Sequence, residues 1–191
     1  MGNYNKKMPK HNTQEMKIGI FGDKQSGKTS LLKKFYNNSF KTKRISTESP
    51  KQYYKYYKID NQGIMLHMWD TPSIAQYPLI EQYAYGLDGI VLTFDLTSKI
   101  SFEVAKSFLY MIQKEKNKSL FLTKNIIIAG CKGDLKTKRE VCNKEASDFA
   151  YNNNICYIET SALNGSGVSE CFEYIITLIY NDSILAKKKK K

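Results

Sequence analysis

The first stretch of the sequence that can do chemistry is a glycine-containing loop, Gly22-Asp23-Lys24-Gln25-Ser26-Gly27-Lys28-Thr29. It follows a short apolar run and precedes a segment with helical spacing, which is the context that distinguishes a phosphate-binding loop from a chance match. Its glycines let backbone N–H groups surround phosphate oxygens, and the start of the helix adds positive potential. Lys28 is placed to reach β and γ phosphates, and the Thr29 hydroxyl is placed to bind Mg²⁺. The loop therefore predicts a nucleotide-phosphate site.

Three more polar motifs follow apolar runs. Asp70, in Trp69-Asp70-Thr71, ends one run, where a carboxylate can hold Mg²⁺ through water. Asp134, in Cys131-Lys132-Gly133-Asp134, can accept from the two adjacent N–H donors of a guanine edge, which adenine lacks. A third motif, Glu159-Thr160-Ser161-Ala162, follows the last run. Together these motifs favour a guanine nucleotide over an adenine nucleotide.

The elements that position these motifs follow from periodicity. Short apolar runs alternate with longer segments of helical spacing, which is typical of a parallel sheet covered by helices on both faces. The predicted strands are 17–21, 64–69, 89–94, 125–129 and 155–158, and the predicted helices are 27–36, 101–116, 143–151 and 167–180. Tyr53 to Ile59 is predicted as an antiparallel edge strand that turns through residues 60–63. Ligands of such sheets bind beyond the carboxyl ends of the strands, where the motifs stand.

Composition limits the remaining possibilities. A chain of 191 residues with 41% hydrophobic residues is long enough for one domain with one core, which excludes a two-domain enzyme. We predict a domain over residues 16–181 between tails at 1–15 and 182–191. The net charge is +12, but Lys6, Lys7, Lys10 and the run Lys187 to Lys191 carry eight of the positive charges, leaving about +4 for the body. A nucleic-acid binder would spread such charge over one face, so no nucleic-acid partner is expected.

The four cysteines are widely spaced and form no Cys-x-x-Cys pair, which indicates a reduced intracellular protein. No apolar run approaches the roughly 20 residues needed to span a bilayer, so any membrane contact is expected to be peripheral.

With these motifs in order, the chain resembles the small GTPases of the Ras superfamily, and most closely the Rab branch, from about Met16 to Tyr180. The residues that carry the resemblance are the loop Gly22 to Thr29, Thr47 after Arg44-Ile45-Ser46, Trp69-Asp70-Thr71, Phe94-Asp95-Leu96-Thr97 with Ser101-Phe102, Lys132-x-Asp134 and Glu159-Thr160-Ser161-Ala162. The resemblance implies an α/β P-loop NTPase fold whose mostly parallel six-stranded sheet has one antiparallel edge strand. It also implies GTP or GDP and Mg²⁺ as cofactors.

The family roles transfer to matching positions. The implied nucleotide-binding residues are Gly22, Asp23, Lys24, Gln25, Ser26, Gly27, Lys28, Thr29, Ser30, Phe40, Thr47, Ser73, Cys131, Lys132, Asp134, Ser161, Ala162 and Leu163. The implied metal ligands are Thr29, Thr47 and Asp70. Lys28 and Thr47 would act in hydrolysis, Phe40 would pack on the guanine and Lys132 would flank it.

Departures from the family pattern concern hydrolysis. Where the family has Asp-Thr-Ala-Gly-Gln, this chain has Asp70-Thr71-Pro72-Ser73-Ile74. The family glutamine orients the attacking water, and Ile74 has no polar atom to do so. Loss of one positioned polar group costs on the order of 10²-fold in rate, so slow hydrolysis is expected. Ser73 keeps an N–H for the γ phosphate but has less freedom than the family glycine, and Pro72 stiffens the segment.

Three further departures leave alternatives open. Lys24 and Gln25 replace small residues and either crowd the site of hydrolysis or point to solvent. Cys131 replaces an asparagine that braces two loops, which lowers the expected nucleotide affinity, although Rho-branch members that do not hydrolyse GTP share this cysteine. Arg44, three residues before Thr47, is either an arginine finger in cis, as in the related Gα subunits, or a solvated switch residue.

The surface and the ends complete the expectations. Exchange factors and effectors are expected at switch I, the segment around Thr47, and at switch II, the segment that follows Asp70. Trp69 with Tyr83 or Tyr85 offers an aromatic patch there, but Gln52 stands where Rab relatives have an exposed aromatic ring. Rab relatives end in prenylated cysteines, and this sequence has a lysine run instead. That run predicts attachment to an anionic membrane, aided by acylation of Gly2 if it occurs, or alternatively a nuclear-localisation or solubilising role.

The sequence therefore predicts a monomeric Rab-like switch of intracellular vesicle or protein transport, cytoplasmic and peripheral on the cytosolic face of an endomembrane or the plasma membrane. The alternative is an interaction protein of the same fold whose nucleotide is structural or absent. A third class, an ATP-using phosphotransferase, is disfavoured by Asp134 and by the Ser161-Ala162 loop.

Overall fold

The computed structural model describes residues 14–42, 47–73, 86–114 and 125–189. Within them a six-stranded sheet has the order β2-β3-β1-β4-β5-β6. The strands are β1 (Gln14–Gly22), β2 (Lys51–Ile59), β3 (Gln62–Asp70), β4 (Gly89–Asp95), β5 (Ile126–Cys131) and β6 (Cys156–Glu159). This sheet confirms the predicted α/β fold.

Only the pair at one edge of this sheet departs from parallel pairing. Strands β1, β3, β4, β5 and β6 pair in parallel, whereas β2 runs antiparallel to β3. Asp60 and Asn61 connect β2 to β3 with φ angles of 45° and 62°, the positive values that a two-residue hairpin turn requires. The predicted edge strand is therefore confirmed, with a turn shorter than the sequence suggested.

Four helices of ten or more residues lie in the described part of the chain: α1 (Lys28–Asn37), α2 (Lys99–Lys114), α3 (Asn143–Asn152) and α4 (Val168–Lys189). Helices α1 and α4 cover one face of the sheet, where Leu32 and Phe172 belong to one buried cluster. Helices α2 and α3 cover the other face, where Phe102 and Ala146 belong to a second cluster. Strands β4 and β5 are buried along their whole length because both faces are covered.

Element ends differ from the sequence prediction in two informative places. Strand β1 begins at Gln14, two residues inside the segment that we assigned to the N-terminal tail. Helix α4 continues through Lys189, nine residues beyond the predicted end at Tyr180. Ile184 packs against the first core cluster, and lysines favour the last turn of a helix through its dipole, so the helix does not end at Asn181.

The loops after β1, β3, β5 and β6 meet at one edge of the sheet because parallel strands share the edge at which they end. The phosphate, metal and base motifs are on these loops or on the segment before β2, and the motif Phe94-Asp95-Leu96-Thr97 lies at the end of β4. Among the helices of the described residues, none combines the length and apolar character needed to cross a bilayer.

Candidate nucleotide-binding site

The loop between β1 and α1 has a shape that only glycine permits at two positions. Gly27 has φ of 110°, and a Cβ atom there would lie 2.8 Å from Cys131 Cβ. A Cβ atom on Gly22 would lie 2.3 Å from the Thr93 carbonyl oxygen. The loop is therefore held tightly against β4 and β5, with its N–H groups at the start of α1.

Lys28 is directed toward this loop by backbone oxygens. Its Nζ donates to the carbonyl oxygens of Gly22, at 3.0 Å, and Asp23, at 2.6 Å. Burial lowers the pKa of Lys28, while the charges of Asp70 and Asp23 oppose that shift. Phosphate oxygens at the loop would add negative charge beside the ammonium, and this would favour its charged form.

Three predicted metal ligands come together behind the loop. Thr29 Oγ1 donates to Asp70 Oδ2 at 2.7 Å and lies 2.9 Å from Thr47 Oγ1, and Thr47 Oγ1 lies 3.4 Å from the same carboxylate oxygen. Asp70 is fully buried, and burial raises the pKa of its carboxyl group against the Thr29 hydrogen bond and the Lys28 charge. A cation here would supply the charge that this buried carboxylate needs.

The chemistry of these donors fits Mg²⁺. All three side chains offer oxygen, which Mg²⁺ prefers, and it commonly binds one or two carboxylates together with substrate phosphates and water. Within the described residues, no group of three His, Cys, Asp or Glu side chains could hold a metal ion by itself. The residues therefore fit a Mg²⁺ ion that also binds a nucleotide, with Thr29, Thr47 and Asp70 holding it.

The loops after β5 and β6 carry the residues predicted to bind the base. Ser161 Oγ donates to Asp134 Oδ1 at 2.5 Å, and Gly133 N donates to the Thr160 carbonyl oxygen at 3.0 Å, so the two loops are joined. Lys132 pairs with Asp95, whose carboxylate also accepts from Thr97 N at 2.9 Å. This arrangement fixes one carboxylate, that of Asp134, where two N–H donors of a base can meet it.

Cys131 contributes packing at the centre of the site. Its thiol is buried, accepts from Thr160 Oγ1 at 3.6 Å, and lies under Gly27. Burial raises the pKa of Cys131 to about 11, so the group is a neutral thiol at neutral pH. It joins the phosphate loop to the base loops through contact rather than through an amide.

Other predicted site residues are less enclosed. Phe40 is 37% exposed and Leu163 is 53% exposed, and the side chains of Lys24 and Gln25 are also exposed. The two alternatives for Lys24 and Gln25 stay predictions. Ser73 Oγ lies 3.2 Å from Asp23 Oδ1, which brings the start of switch II beside the phosphate loop. Ser30 and Ala162 are half-buried on α1 and on the loop after β6.

Arg44, Ile74, Tyr83 and Tyr85 lie outside the described residues. The proposed arginine finger, the missing glutamine and the aromatic patch of switch II therefore stay predictions.

Two residues at this site were not singled out individually from the sequence. Asp95, paired with Lys132, stands in the matched Phe94-Asp95-Leu96-Thr97 motif, so the signal was present without a role. Thr93 is the one polar side chain between Gly89 and Phe94 of an otherwise apolar strand, and it contacts the phosphate loop. A buried hydroxyl in a central strand is the signal that could have revealed it.

Comparison with known proteins identifies the family of the chain. A family model described as "Ras family" matches residues 17–181. The Ras-related protein Rab-11C of Dictyostelium discoideum is 35% identical over 185 residues, covering 95% of this chain and 80% of that protein. The Ras-related protein Rab-1 of Theileria parva is 36% identical over 163 residues, covering 83% and 71%. RABA4d of Arabidopsis thaliana is 31% identical over 188 residues, covering 98% and 80%.

Proposed function

The chain belongs to the Ras family of small GTPases, and from that premise we propose that it is a Rab-like switch that binds guanine nucleotide with Mg²⁺ and hydrolyses GTP very slowly. We further propose that it works in vesicle or protein transport at the cytosolic face of a membrane.

The observation that carries this proposal is the convergence of Thr29, Thr47 and Asp70 beside Lys28. Thr47 belongs to the segment before β2, whereas Thr29 and Asp70 belong to α1 and β3. Thr29 Oγ1 lies 2.9 Å from Thr47 Oγ1 and 2.7 Å from Asp70 Oδ2, and Thr47 Oγ1 lies 3.4 Å from Asp70 Oδ2. A Mg²⁺ ion bound there together with a nucleotide would link switch I to the phosphate loop. Loss of the γ phosphate would weaken that link, which is how such a fold becomes a switch.

The residues of the chain have distinct parts in hydrolysis. Lys28 holds phosphate oxygens and offsets the charge that develops on them, and Thr47 orients the nucleotide from switch I. Mg²⁺, when bound, neutralises charge on the phosphate oxygens. Ile74 offers no hydrogen bond to a water, and Ser73 next to it has its hydroxyl near Asp23. The protein therefore positions the nucleotide well and the attacking water poorly.

The direct test is to denature the purified protein and identify the nucleotide that it releases. Bound GTP is expected, because the site residues fit a nucleotide with Mg²⁺ whereas Ile74 offers no hydrogen bond to the attacking water. Bound GDP would contradict slow hydrolysis, and the absence of nucleotide would contradict the switch. Lys28→Ala should abolish binding, and Lys144→Ala, which removes an exposed lysine of α3, should have no effect.

The second candidate is an interaction protein of this fold that works without nucleotide. One observation favours it: among the described residues, every buried polar side-chain atom already has a hydrogen-bond partner. Lys28 and Asp70 in particular are satisfied by Gly22, Asp23 and Thr29. A protein that releases no nucleotide and keeps its melting temperature when GDP and Mg²⁺ are added would support this candidate.

The proposed partners are exchange factors and effectors at the switches and an anionic membrane at the lysine run.

Single-turnover hydrolysis by Arg44→Ala separates the two roles left open for Arg44: an arginine finger predicts a large loss, and a solvated residue predicts no change.

A further inference from the structure

We propose that Thr93 is a positioning residue for nucleotide binding, whose hydroxyl ties together the two ends of the phosphate loop. Thr93 belongs to none of the motifs that predict the nucleotide site, since it lies within β4. The inference rests on the proposed function, because it concerns how the same loop is held in shape.

The hydrogen bonds around Thr93 form a chain with a defined direction. Thr93 Oγ1 donates to the Phe21 carbonyl oxygen at 3.0 Å and lies 2.7 Å from Ser26 Oγ. A hydroxyl has one proton, and that of Thr93 is given to Phe21, so Ser26 must be the donor in the second bond. Phe21 precedes the loop and Ser26 lies near its end, and one hydroxyl therefore bridges the segment between them.

The space around this bridge is closed. A Cβ atom on Gly22 would lie 2.3 Å from Thr93 Oγ1 and 2.7 Å from Ser26 Oγ. Thr93 and Ser26 are both fully buried, so neither hydroxyl has water as an alternative partner. If either is removed, the other loses a partner in a place where a lost hydrogen bond is not replaced.

The bridge through Thr93 matters more for the shape of the loop because Cys131, on the neighbouring strand, forms only weak hydrogen bonds. The thiol at the base of the loop contacts Gly27 closely but is a weak hydrogen-bond donor and acceptor. The hydroxyls of Ser26 and Thr93 supply a polar link between the phosphate loop and β4, whereas Cys131 belongs to β5. The backbone N–H groups of residues 23–28 then keep the orientation in which they meet phosphate.

Two variants of Thr93 separate positioning from packing. Thr93→Val keeps the shape of the side chain and removes the hydroxyl, whereas Thr93→Ser keeps the hydroxyl and removes a methyl group. Thr177→Val is the matched control, because Thr177 Oγ1 also donates to a carbonyl oxygen, that of Glu173 at 2.8 Å, but on the exposed face of α4.

The first measurement is amide hydrogen exchange of residues 22–29 in protein freed of nucleotide, which does not depend on the proposed function. Thr93→Val and Ser26→Ala should each raise exchange in this loop by about fivefold, the effect of one hydrogen bond, and the double variant should add little to either. Thr93→Ser and Thr177→Val should match the wild type. Unchanged exchange in Thr93→Val, or equal effects of Thr93→Val and Thr93→Ser, would overturn the proposal.

The second measurement is the release rate of a fluorescent GDP analogue. Thr93→Val should release it about fivefold faster, with Thr93→Ser restoring the slow rate. A wild type that binds no analogue would contradict the proposed function, while the exchange result would still decide whether Thr93 holds the loop. Faster exchange with an unchanged release rate would show that the bridge does not serve nucleotide binding, and would also overturn the proposal.

Discussion

Asp134 is the side chain on which we predict that selection of the base depends. It accepts from Ser161 at 2.5 Å, and its carboxylate retains lone pairs for two further donors. Asp134→Ala would leave two guanine N–H groups without a partner, and hydrogen bonds to a charged group contribute about 1.5–3 kcal/mol each. We expect GDP affinity to fall by at least about 10²-fold and the preference over ADP to fall equally, as measured by titration calorimetry.

Asp148→Ala is the control for that measurement, because Asp148 is an exposed aspartate of α3 that pairs with Lys144. Its effect on GDP affinity should be negligible. Equal affinities of Asp134→Ala and the wild type for GDP would show that the base is bound elsewhere.

Ile74 is the residue on which the predicted hydrolysis rate depends. Ile74→Gln supplies an amide that can orient a water, so single-turnover GTP hydrolysis should become faster by up to about 10²-fold. Ile100→Gln is the matched control, since Ile100 is 75% exposed at the start of α2. A rate that does not change in Ile74→Gln would move the cause of slow hydrolysis to Pro72, Ser73 or the phosphate loop.

Among individual residues, the sequence predicts those that belong to a motif better than those that support a motif from another element. Asp70 and Thr29 were predicted together as metal ligands, and they lie 2.7 Å apart through Oδ2 and Oγ1. Thr93 carries no motif, because its role depends on the pairing of β1 with β4, which places it opposite Gly22. Such a contact between distant positions cannot be inferred from local spacing.

At the scale of elements, periodicity predicts the type of each element better than its ends. Strands β4 and β5 are short apolar runs buried on both faces, and their predicted limits are within two residues of those observed. The end of α4 was predicted too early, at Tyr180, because the apolar spacing that indicates the helix was followed only through Ile179. Ser183 Oγ donates to the Tyr180 carbonyl oxygen at 2.7 Å, within the continuing helix.

An ion pair connects β6 to the segment before α3. Arg139 donates from Nη1 and Nη2 to the two oxygens of Glu159, both at 2.7 Å, and Tyr157 and Asn143 donate to the same carboxylate. These hydrogen bonds, that of Arg139 foremost, lower the pKa of Glu159 to about 2. Glu159 is the last residue of β6, before the loop predicted to bind the base, so this pair fixes where that loop begins.

The pH dependence of stability follows from the lowered pKa. A depressed folded-state pKa gives stabilisation that is complete above the unfolded value of about 4.3 and is lost as pH falls toward 2. Glu159→Gln should lower the free energy of unfolding by about 1–2 kcal/mol at pH 7, since the carboxylate is partly exposed and screened. That difference should shrink between pH 5 and about 2, as measured by urea unfolding at each pH.

Glu103→Gln is the control for this series, because Glu103 is a mostly exposed glutamate that pairs with Lys106 within α2. It should cost at most a few tenths of a kcal/mol at any pH. A Glu159→Gln difference that stays constant from pH 7 to pH 3 would show that the pair does not hold its charge in the folded state.

In the described part of the molecule, the candidate nucleotide site and the exposed lysines near the end of α4 lie at opposite edges of the sheet. Helix α4 starts near the end of β6, where Gly167 approaches Glu159, and passes the start of β4, where Ile179 approaches Gly89. It therefore runs back to the edge opposite the phosphate loop, and Lys187 and Lys188 are exposed there. Strand β1 begins at that same edge.

The structure places these lysines at a defined edge of the sheet, which the sequence alone could not show. Lys187 and Lys188 lie in the last turns of α4, with exposed Leu185 close to them in the same helix. Lysines near an anionic bilayer contribute about 1 kcal/mol each, and this attraction weakens with salt. An anionic surface bound there would leave the candidate nucleotide site facing the solvent.

Binding to vesicles tests this orientation. Replacing Lys187 and Lys188 with serine should weaken sedimentation with phosphatidylserine-containing vesicles by about 2 kcal/mol, and neutral vesicles should bind neither protein. The matched control replaces Lys136 and Lys138, which are exposed at the nucleotide edge and change the net charge equally. If both double variants lose the same affinity, net charge alone drives the attraction. If only the Lys187 and Lys188 variant loses it, the edge opposite the nucleotide faces the membrane.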